Sequence, residues 1–344
     1  MNITPSHVAP LALLALLAAC QAPAEERDPI QPVGRPPEPI EAPEPEPEPE
    51  VVEEEAPDAE EEELADEESP CPEGMVYVDT VYCTKVQQHC LNPPTSNLNR
   101  RCFEYAEERT CVGTERRQRF CIDRYEYPNQ KGAWSPVMLN AAQAAGLCHE
   151  QGKRLCWESE WTAACEGREK TPYPYGRERD ASKCNIDVPT PLYNGRRMRS
   201  RSRRVRDAEL RRVNRAHRAG AKPECKSDLG VYDQGGNLSE WVFLERPRGN
   251  CRWAGQKGGH WKPPIRNACR PTGVGHNEPW SFYTLGVRCC SDPDPEKLAA
   301  IDEAAEPDAK RPPTWTPPKP PVTGPRSSWR QRGVYRGWTP DFKP

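Results

Sequence analysis

Two carboxylates seven positions apart, Asp233 and Glu240, enclose Gln234-Gly235-Gly236-Asn237-Leu238-Ser239. A Gly-Gly-Asn turn exposes backbone carbonyls, and carbonyls beside two carboxylates suit a hard cation that takes about six to eight oxygens. The other use of these residues is an Asx-type turn with Glu240 in solvent. The cysteines offer different chemistry. There are 16 of them, 15 lying between Cys71 and Cys290, with no pair spaced Cys-x-x-Cys and no two histidines at i, i+4. That spacing fits zinc poorly and fits disulfides well. The six histidines are scattered and no His-x-x-x-His-x-Glu run occurs, so an iron site of two histidines and a carboxylate is not expected. His260 and His276 read as hydrogen-bonded structural residues.

The elements that position these groups sit inside an uneven chain. Of 344 residues 41 are proline and 35% hydrophobic, which excludes one uniformly packed globule. Residues 21–70 hold 20 acidic side chains, two arginines and 12 prolines, a net charge of −18, whereas the sequence from residue 71 onward nets +14. So acidic and proline-rich a stretch buries too little apolar surface to offset its ordering entropy, and reads as an extended tether. Extended, it reaches on the order of 150 Å.

Ahead of the tether, Val8 to Ala19 is a short apolar run that ends in Leu17-Ala18-Ala19-Cys20. The run is too short to span a bilayer and right for a signal-peptide core. Its end resembles a bacterial lipobox, which implies that residues 1–20 are a lipoprotein signal peptide and Cys20 the lipidated residue. Ordinary secretion is the alternative. The expected location is the cell envelope, lipid-anchored on the extracytoplasmic side, where disulfides persist.

From Cys71 to Cys290 the texture is that of one domain. Gly74 to Asp79 and Phe120 to Tyr125 read as strands. Asn140 to Gly146 reads as a helix opening at an Asn cap. Glu158 to Glu166 reads as a second, with Trp161, Ala164 and Cys165 on one face and Gly167 as its stop. The fold class expected is α+β, irregular and stapled by disulfides.

A series of short strings carries a family resemblance. They are Met75-Val76-Tyr77-Val78, Phe120-Cys121-Ile122-Asp123-Arg124-Tyr125-Glu126, Gly152-Lys153-Arg154-Leu155 with Glu158-Ser159-Glu160-Trp161, Tyr173-Pro174-Tyr175-Gly176, Cys184-Asn185-Ile186, Gly230 through Val242, Gly258-Gly259-His260-Trp261, and Leu285-Gly286-Val287-Arg288. In this order they resemble the formylglycine-generating enzyme, or sulfatase-modifying factor, family, whose fold is a variant of the C-type lectin fold. The resemblance covers residues 71–290 and neither flank.

The resemblance implies calcium at the loop, with side-chain oxygens from Asp233 and Glu240 and carbonyls from Gly236 and Leu238. A second calcium site begins at Asn185 and Ile186, but its later ligands fall where this chain has an insertion. The resemblance also implies disulfides Cys148–Cys289 and Cys165–Cys269, the latter offset by two residues from the family position. Family oxidases hold Cu(I) with a cysteine pair between the Gly-Gly-Ser-Trp-like strand and an arginine-rich strand. Here Trp261 to Arg270 contains one cysteine, Cys269. Copper is therefore not expected.

Two segments fall outside the resemblance. The insertion 196–218 has 11 arginines against Asp207 and Glu209. It reads either as a solvated loop or as a strip for anionic lipid, acidic polysaccharide or the acidic tether; outside the cytoplasm no nucleic acid partner is expected. The tail 291–344 has 12 prolines and reads as disordered, with Pro312 to Pro321 inclined to polyproline II and to docking in an aromatic groove. Together these features describe a membrane-anchored lipoprotein displaying a non-catalytic binding or interaction module for a protein or polysaccharide ligand. The alternative is a formylglycine-generating-type oxidase with an atypical metal site.

Overall fold

Alternating apolar and polar residues with β-branched and aromatic side chains favour a half-buried strand, and Met75–Cys83 forms one, β1. The computed structural model describes residues 69–93, 102–249, 251–263, 267–304, 312–320 and 338–340. Strand β1 pairs antiparallel along its whole length with β4 (Glu115–Asp123), Met75 opposite Asp123 and Cys83 opposite Glu115. The two strands expected from sequence are thus partners, each longer than its apolar core. Between them, β2 (Val86–Asn92) and β3 (Glu104–Cys111) form a separate two-stranded ribbon. Strands β9 (Cys289–Ser291) and β5 (Arg154–Leu155) extend the first sheet in the order β1-β4-β9-β5. A third sheet places β6 (Ser239–Arg248) between antiparallel β7 (Arg252–Lys257) and parallel β8 (Leu285–Gly286).

Helix α1 (Ala141–Glu150) starts at Asn140, whose side chain accepts the Gln143 N–H at 2.9 Å while Gln143 accepts the Asn140 N–H at 3.0 Å. This reciprocal box satisfies two otherwise orphaned donors. Helix α2 (Glu158–Glu166) buries Trp161, Ala164 and Cys165 in one core cluster with Val78, Phe120 and Ile122 of the first sheet. It stops at Gly167, whose φ is +62° and where a Cβ would lie 1.7 Å from Asp228 Oδ1. Only glycine fits there.

Seven disulfides hold the described residues together: Cys71–Cys121, Cys83–Cys111, Cys90–Cys102, Cys148–Cys289, Cys156–Cys290, Cys165–Cys269 and Cys184–Cys225. No described cysteine is free. The neighbours Cys289 and Cys290 tie β9 to α1 on one side and to Cys156, just after β5, on the other.

The basic insertion is folded. Helix α3 (Gly195–Met198) and helix α4 (Arg203–Val213) pack Met198, Leu210 and Val213 against Trp261 and Tyr283. Its two acidic residues are buried beneath the arginines: Glu209 pairs with Arg212 at 2.6 Å and Asp207 lies 3.7 Å from Arg203. The described part of the tail also departs from the expected disorder. Pro295–Ala304 is helical (α5), and the segments around Trp315 and Trp338 lie on the domain.

Candidate functional site

The loop between Tyr232 and β6 is coiled tightly, with positive φ at Asp233, Gly236 and Asn237. Gly236, at φ +143°, backs directly onto the other predicted segment: a Cβ there would lie 2.6 Å from the Asn185 carbonyl oxygen. The Asn237 N–H donates to that same oxygen at 3.0 Å, and Asn185 Nδ2 donates to Asn237 Oδ1 at 2.9 Å. The structure therefore brings Asn185, Ile186 and the 233–238 loop into one cluster.

Glu240 is not turned to this cluster as a cation ligand. Its carboxylate accepts from Arg288, at 2.9 Å from Nη2 and 3.0 Å from Nε, and from the Trp161 indole at 2.5 Å. Arg288 is fully buried and also donates to the carbonyls of Asp123 and Tyr232. A guanidinium so placed supplies the positive charge that a cation would otherwise bring.

Two groups that sequence reasoning did not single out complete the site. Glu126 is fully buried and accepts from Asn237 Nδ2 at 2.7 Å and from the Leu238 N–H at 3.1 Å. Asp123 is buried between Lys153 Nζ at 2.6 Å and the Cys289 N–H at 3.1 Å. Glu126 and Arg288 stand in the strings that carried the resemblance, but nothing in their spacing says that they meet.

The electrostatics follow from three buried carboxylates around one guanidinium. Burial, reinforced by the negative charges of Asp233 and Glu240, raises the Glu126 carboxyl well above the usual carboxylate range. Burial also pushes Asp233 up to about 6, against the lowering effect of the Gly220 N–H, which it accepts at 2.7 Å, and of Arg288. Two protons or one divalent cation would balance the excess charge.

Which oxygens suit a cation can be read from what is already paired. Asn185 Oδ1 is buried and has no donor among the described residues, while Nδ2 of the same amide donates to Asn237 Oδ1 and to the Arg215 carbonyl. Asp233 binds the Gly220 N–H through Oδ2. These two side chains fit a hard cation by charge and by open acceptor; Glu240 does not. Among the described residues no three His, Cys, Asp or Glu side chains are grouped so as to hold a metal ion.

The cysteines are equally committed. Cys148 is bonded to Cys289, and Cys165 to Cys269, all fully buried. The Cys269 carbonyl accepts from Lys257 Nζ at 2.6 Å, beside the Arg270 carbonyl at 3.0 Å. Burial lowers Lys257 to about 7. His260, lowered to about 4 by burial and then by Lys262, and His276, stacked 3.7 Å from Trp280, belong to an aromatic patch with Tyr283. Cys20 lies outside the described residues.

The family described as the sulfatase-modifying factor enzyme 1-like domain matches residues 77–293. The chain belongs to this family. The match spans all nine strands of the described residues except the first two residues of β1, and it includes the insertion. No curated protein matches the chain. Among solved structures, PvdO from Pseudomonas aeruginosa is 15% identical, with 62% of this chain and 94% of that one covered at a TM-score of 0.36. CarF is 15% identical, with 64% and 98% covered at 0.39, and Treponema denticola variable protein 1 is 13% identical, with 64% and 95% covered at 0.38. The fold expected from the resemblance, α+β with sulfatase-modifying-factor character, is the fold observed.

Proposed function

We propose that this chain is an extracytoplasmic lipoprotein whose sulfatase-modifying-factor domain works as a non-catalytic binding module. The observation that carries the reading is the state of Cys269. A copper-dependent oxidase of the family type needs two thiolates available together, whereas the one cysteine between Trp261 and Arg270 is consumed in a buried disulfide with Cys165. An oxidase with an atypical site, the alternative, would have to draw on other groups.

The surface that suits a ligand is the insertion. Arg196, Arg199, Arg201 and Arg204 are exposed, as are Val205 within the insertion and Leu192 and Tyr193 just before it, while the insertion's own acids are buried. Exposed guanidinium groups interspersed in sequence with exposed apolar side chains fit an anionic protein or polysaccharide. Lipid at Cys20 would hold this surface outside the membrane on the acidic tether.

Calcium enters this reading as a structural ion. The charge excess around Asp233 and the open acceptor of Asn185 support it, with carbonyls of Gly236, Leu238 and Ile186 completing the oxygens. Binding to the native state alone stabilises by mass action. Melting temperature should therefore rise with calcium and fall with chelator, and Asp233→Ala should blunt the response. Glu240→Ala should lower the melting temperature yet keep the calcium increment, because its carboxylate belongs to Arg288. A flat calcium response in the parent chain would remove the ion from the reading.

The non-catalytic assignment is tested by incubating the purified chain, loaded with copper, with a cysteine-containing sulfatase peptide. The peptide should keep its thiol; conversion to the aldehyde would establish the oxidase instead. Detergent partitioning tests the anchor: a Cys20→Ser chain should leave the detergent phase, and unchanged partitioning would refute lipidation.

A further inference from the structure

The tail carries the tripeptide Trp-Thr-Pro twice, at Trp315-Thr316-Pro317 and at Trp338-Thr339-Pro340. Both copies lie on the domain and both are held by backbone pairing at the tryptophan. The Trp315 N–H donates to the Arg117 carbonyl at 2.7 Å, and the Arg116 guanidinium lies 4.0 Å over the Trp315 ring. At Trp338 the pairing is reciprocal. The Val137 N–H donates to the Trp338 carbonyl and the Trp338 N–H to the Val137 carbonyl, each at 2.9 Å. This is the hydrogen-bonded pair of an antiparallel ladder, and adding an extended segment to a waiting backbone edge is a general way of reading peptides.

The Trp338 side chain is 3% exposed and joins a cluster with Val137, Met198, Leu210, Val213, Trp261 and Tyr283. Three of those residues come from α3 and α4, so the basic insertion builds one wall of the slot. The motif suits such a slot. A residue before proline is kept out of the helical region and proline fixes its own φ, so Thr-Pro holds the chain extended just past the anchor. Tryptophan adds a large apolar surface at little rotamer cost.

Part of the slot's polar capacity has no partner among the described residues. The indole N–H groups of Trp261 and Trp338 are both buried with no acceptor among the described residues, and each such donor is costly. No cysteine follows Cys290, so no disulfide fixes the tail, and the resident is held by this pairing, this packing and its covalent connection, at high effective concentration.

We propose that the slot between Val137 and Trp261 is a recognition site for extended Trp-Thr-Pro segments, with the chain's own Trp338 segment as its resident, displaceable ligand. The assignment goes beyond the binding-module reading and holds whether or not the domain is catalytic, since its test measures peptide binding rather than oxidation. A labelled peptide with the sequence of residues 336–343 is titrated, with anisotropy detection, into the full chain and into the full chain carrying Trp338→Ala, each first shown to melt cooperatively. The variant should bind at least about ten-fold more tightly than the parent, because no tethered competitor remains. A peptide with alanine in place of tryptophan should bind neither. No saturable binding to the folded variant overturns the proposal, and so does equal binding to both chains, which would put the peptide elsewhere.

Should Trp338→Ala not fold, a full chain with a protease site introduced between Pro320 and Trp338 keeps the question open to measurement. After cleavage, excess unlabelled peptide should chase off the C-terminal piece; a piece that stays is part of the core and overturns the proposal. In sedimentation the parent should stay monomeric. A concentration-dependent dimer lost in Trp338→Ala would assign the resident segment to a second copy and overturn the intramolecular assignment.

Discussion

Glu240 and Arg288 stand 2.9 Å apart with both side chains almost wholly buried, and the consequences of removing either are unequal to the worth of the pair. Glu240→Ala leaves a guanidinium buried without its partner, which costs about 3–5 kcal/mol. Adding Arg288→Met should return part of that loss in urea unfolding; a double variant as unstable as the two single losses summed would show that the pair is not coupled. Lys257 makes a second prediction at this scale. Its folded-state pKa, about 7, lies below its ordinary value, so between pH 7 and its ordinary range the unfolded chain binds the extra proton. Stability from this group is therefore lowest below pH 7 and rises with pH through that window, by about 2–3 kcal/mol between pH 7 and 9. Lys257→Met should lose that slope; an unchanged slope would mean that the Cys269 and Arg270 carbonyls keep the ammonium charged. Asp233 and Glu240 were legible in the sequence as a loop that gathers oxygen. The ion pair that takes Glu240 away from it was not, because Arg288 and Glu126 reach it across long stretches of chain.

Element-scale reading succeeded where one local rule decided the outcome. Helix α2 was expected over Glu158–Glu166 and occupies those residues, because an acidic first turn, one apolar face and a terminal glycine agree. The insertion was harder. Eleven arginines hide three apolar anchors, and only the spacing of Leu210 and Val213 with Met198 marks a buried face. Burial of Leu210 beside Trp261 and Tyr283 is what makes α4 part of the domain, so Leu210→Ala should cost about 2–5 kcal/mol. Arg204→Gln, on the exposed face, should stay within about 0.5 kcal/mol of the parent. Equal effects would place the helix outside the cooperative unit. The tail failed as an expectation for a related reason: proline content argues against an independent core, and it says nothing about single tryptophans that dock on a core built by other residues.

At the scale of the molecule, cysteine density read correctly as a scaffold, while most of the connectivity was out of reach, since pairing depends on which strands end side by side. Two bridges show how that scaffold stabilises. Cys148–Cys289 and Cys156–Cys290 span 141 and 134 residues, yet they share nearly the same closure. Their partners are adjacent at one end and, as 156 less 148, eight residues apart at the other. Once either bridge exists, the other closes a ring of only about ten residues. Cys165–Cys269 already short-circuits that span, so the first of these bridges closes a ring of roughly 30–40 residues, worth about 4 kcal/mol in the chain-entropy account, and the second ring is worth about 3 kcal/mol. Replacing one pair, Cys148→Ala with Cys289→Ala or Cys156→Ala with Cys290→Ala, should thus cost about 3 kcal/mol, the surviving bridge still holding the larger ring. Removing both pairs should cost about 7 kcal/mol, some 1 kcal/mol more than the two single losses together. The measurement is denaturant unfolding of the four chains under oxidising conditions, with slopes compared to confirm that the unfolded states expand as the larger ring opens. Additive losses within about 0.5 kcal/mol would mean that the bridges act through local packing around β9, each on its own, and not by closing the chain between the two halves of the domain.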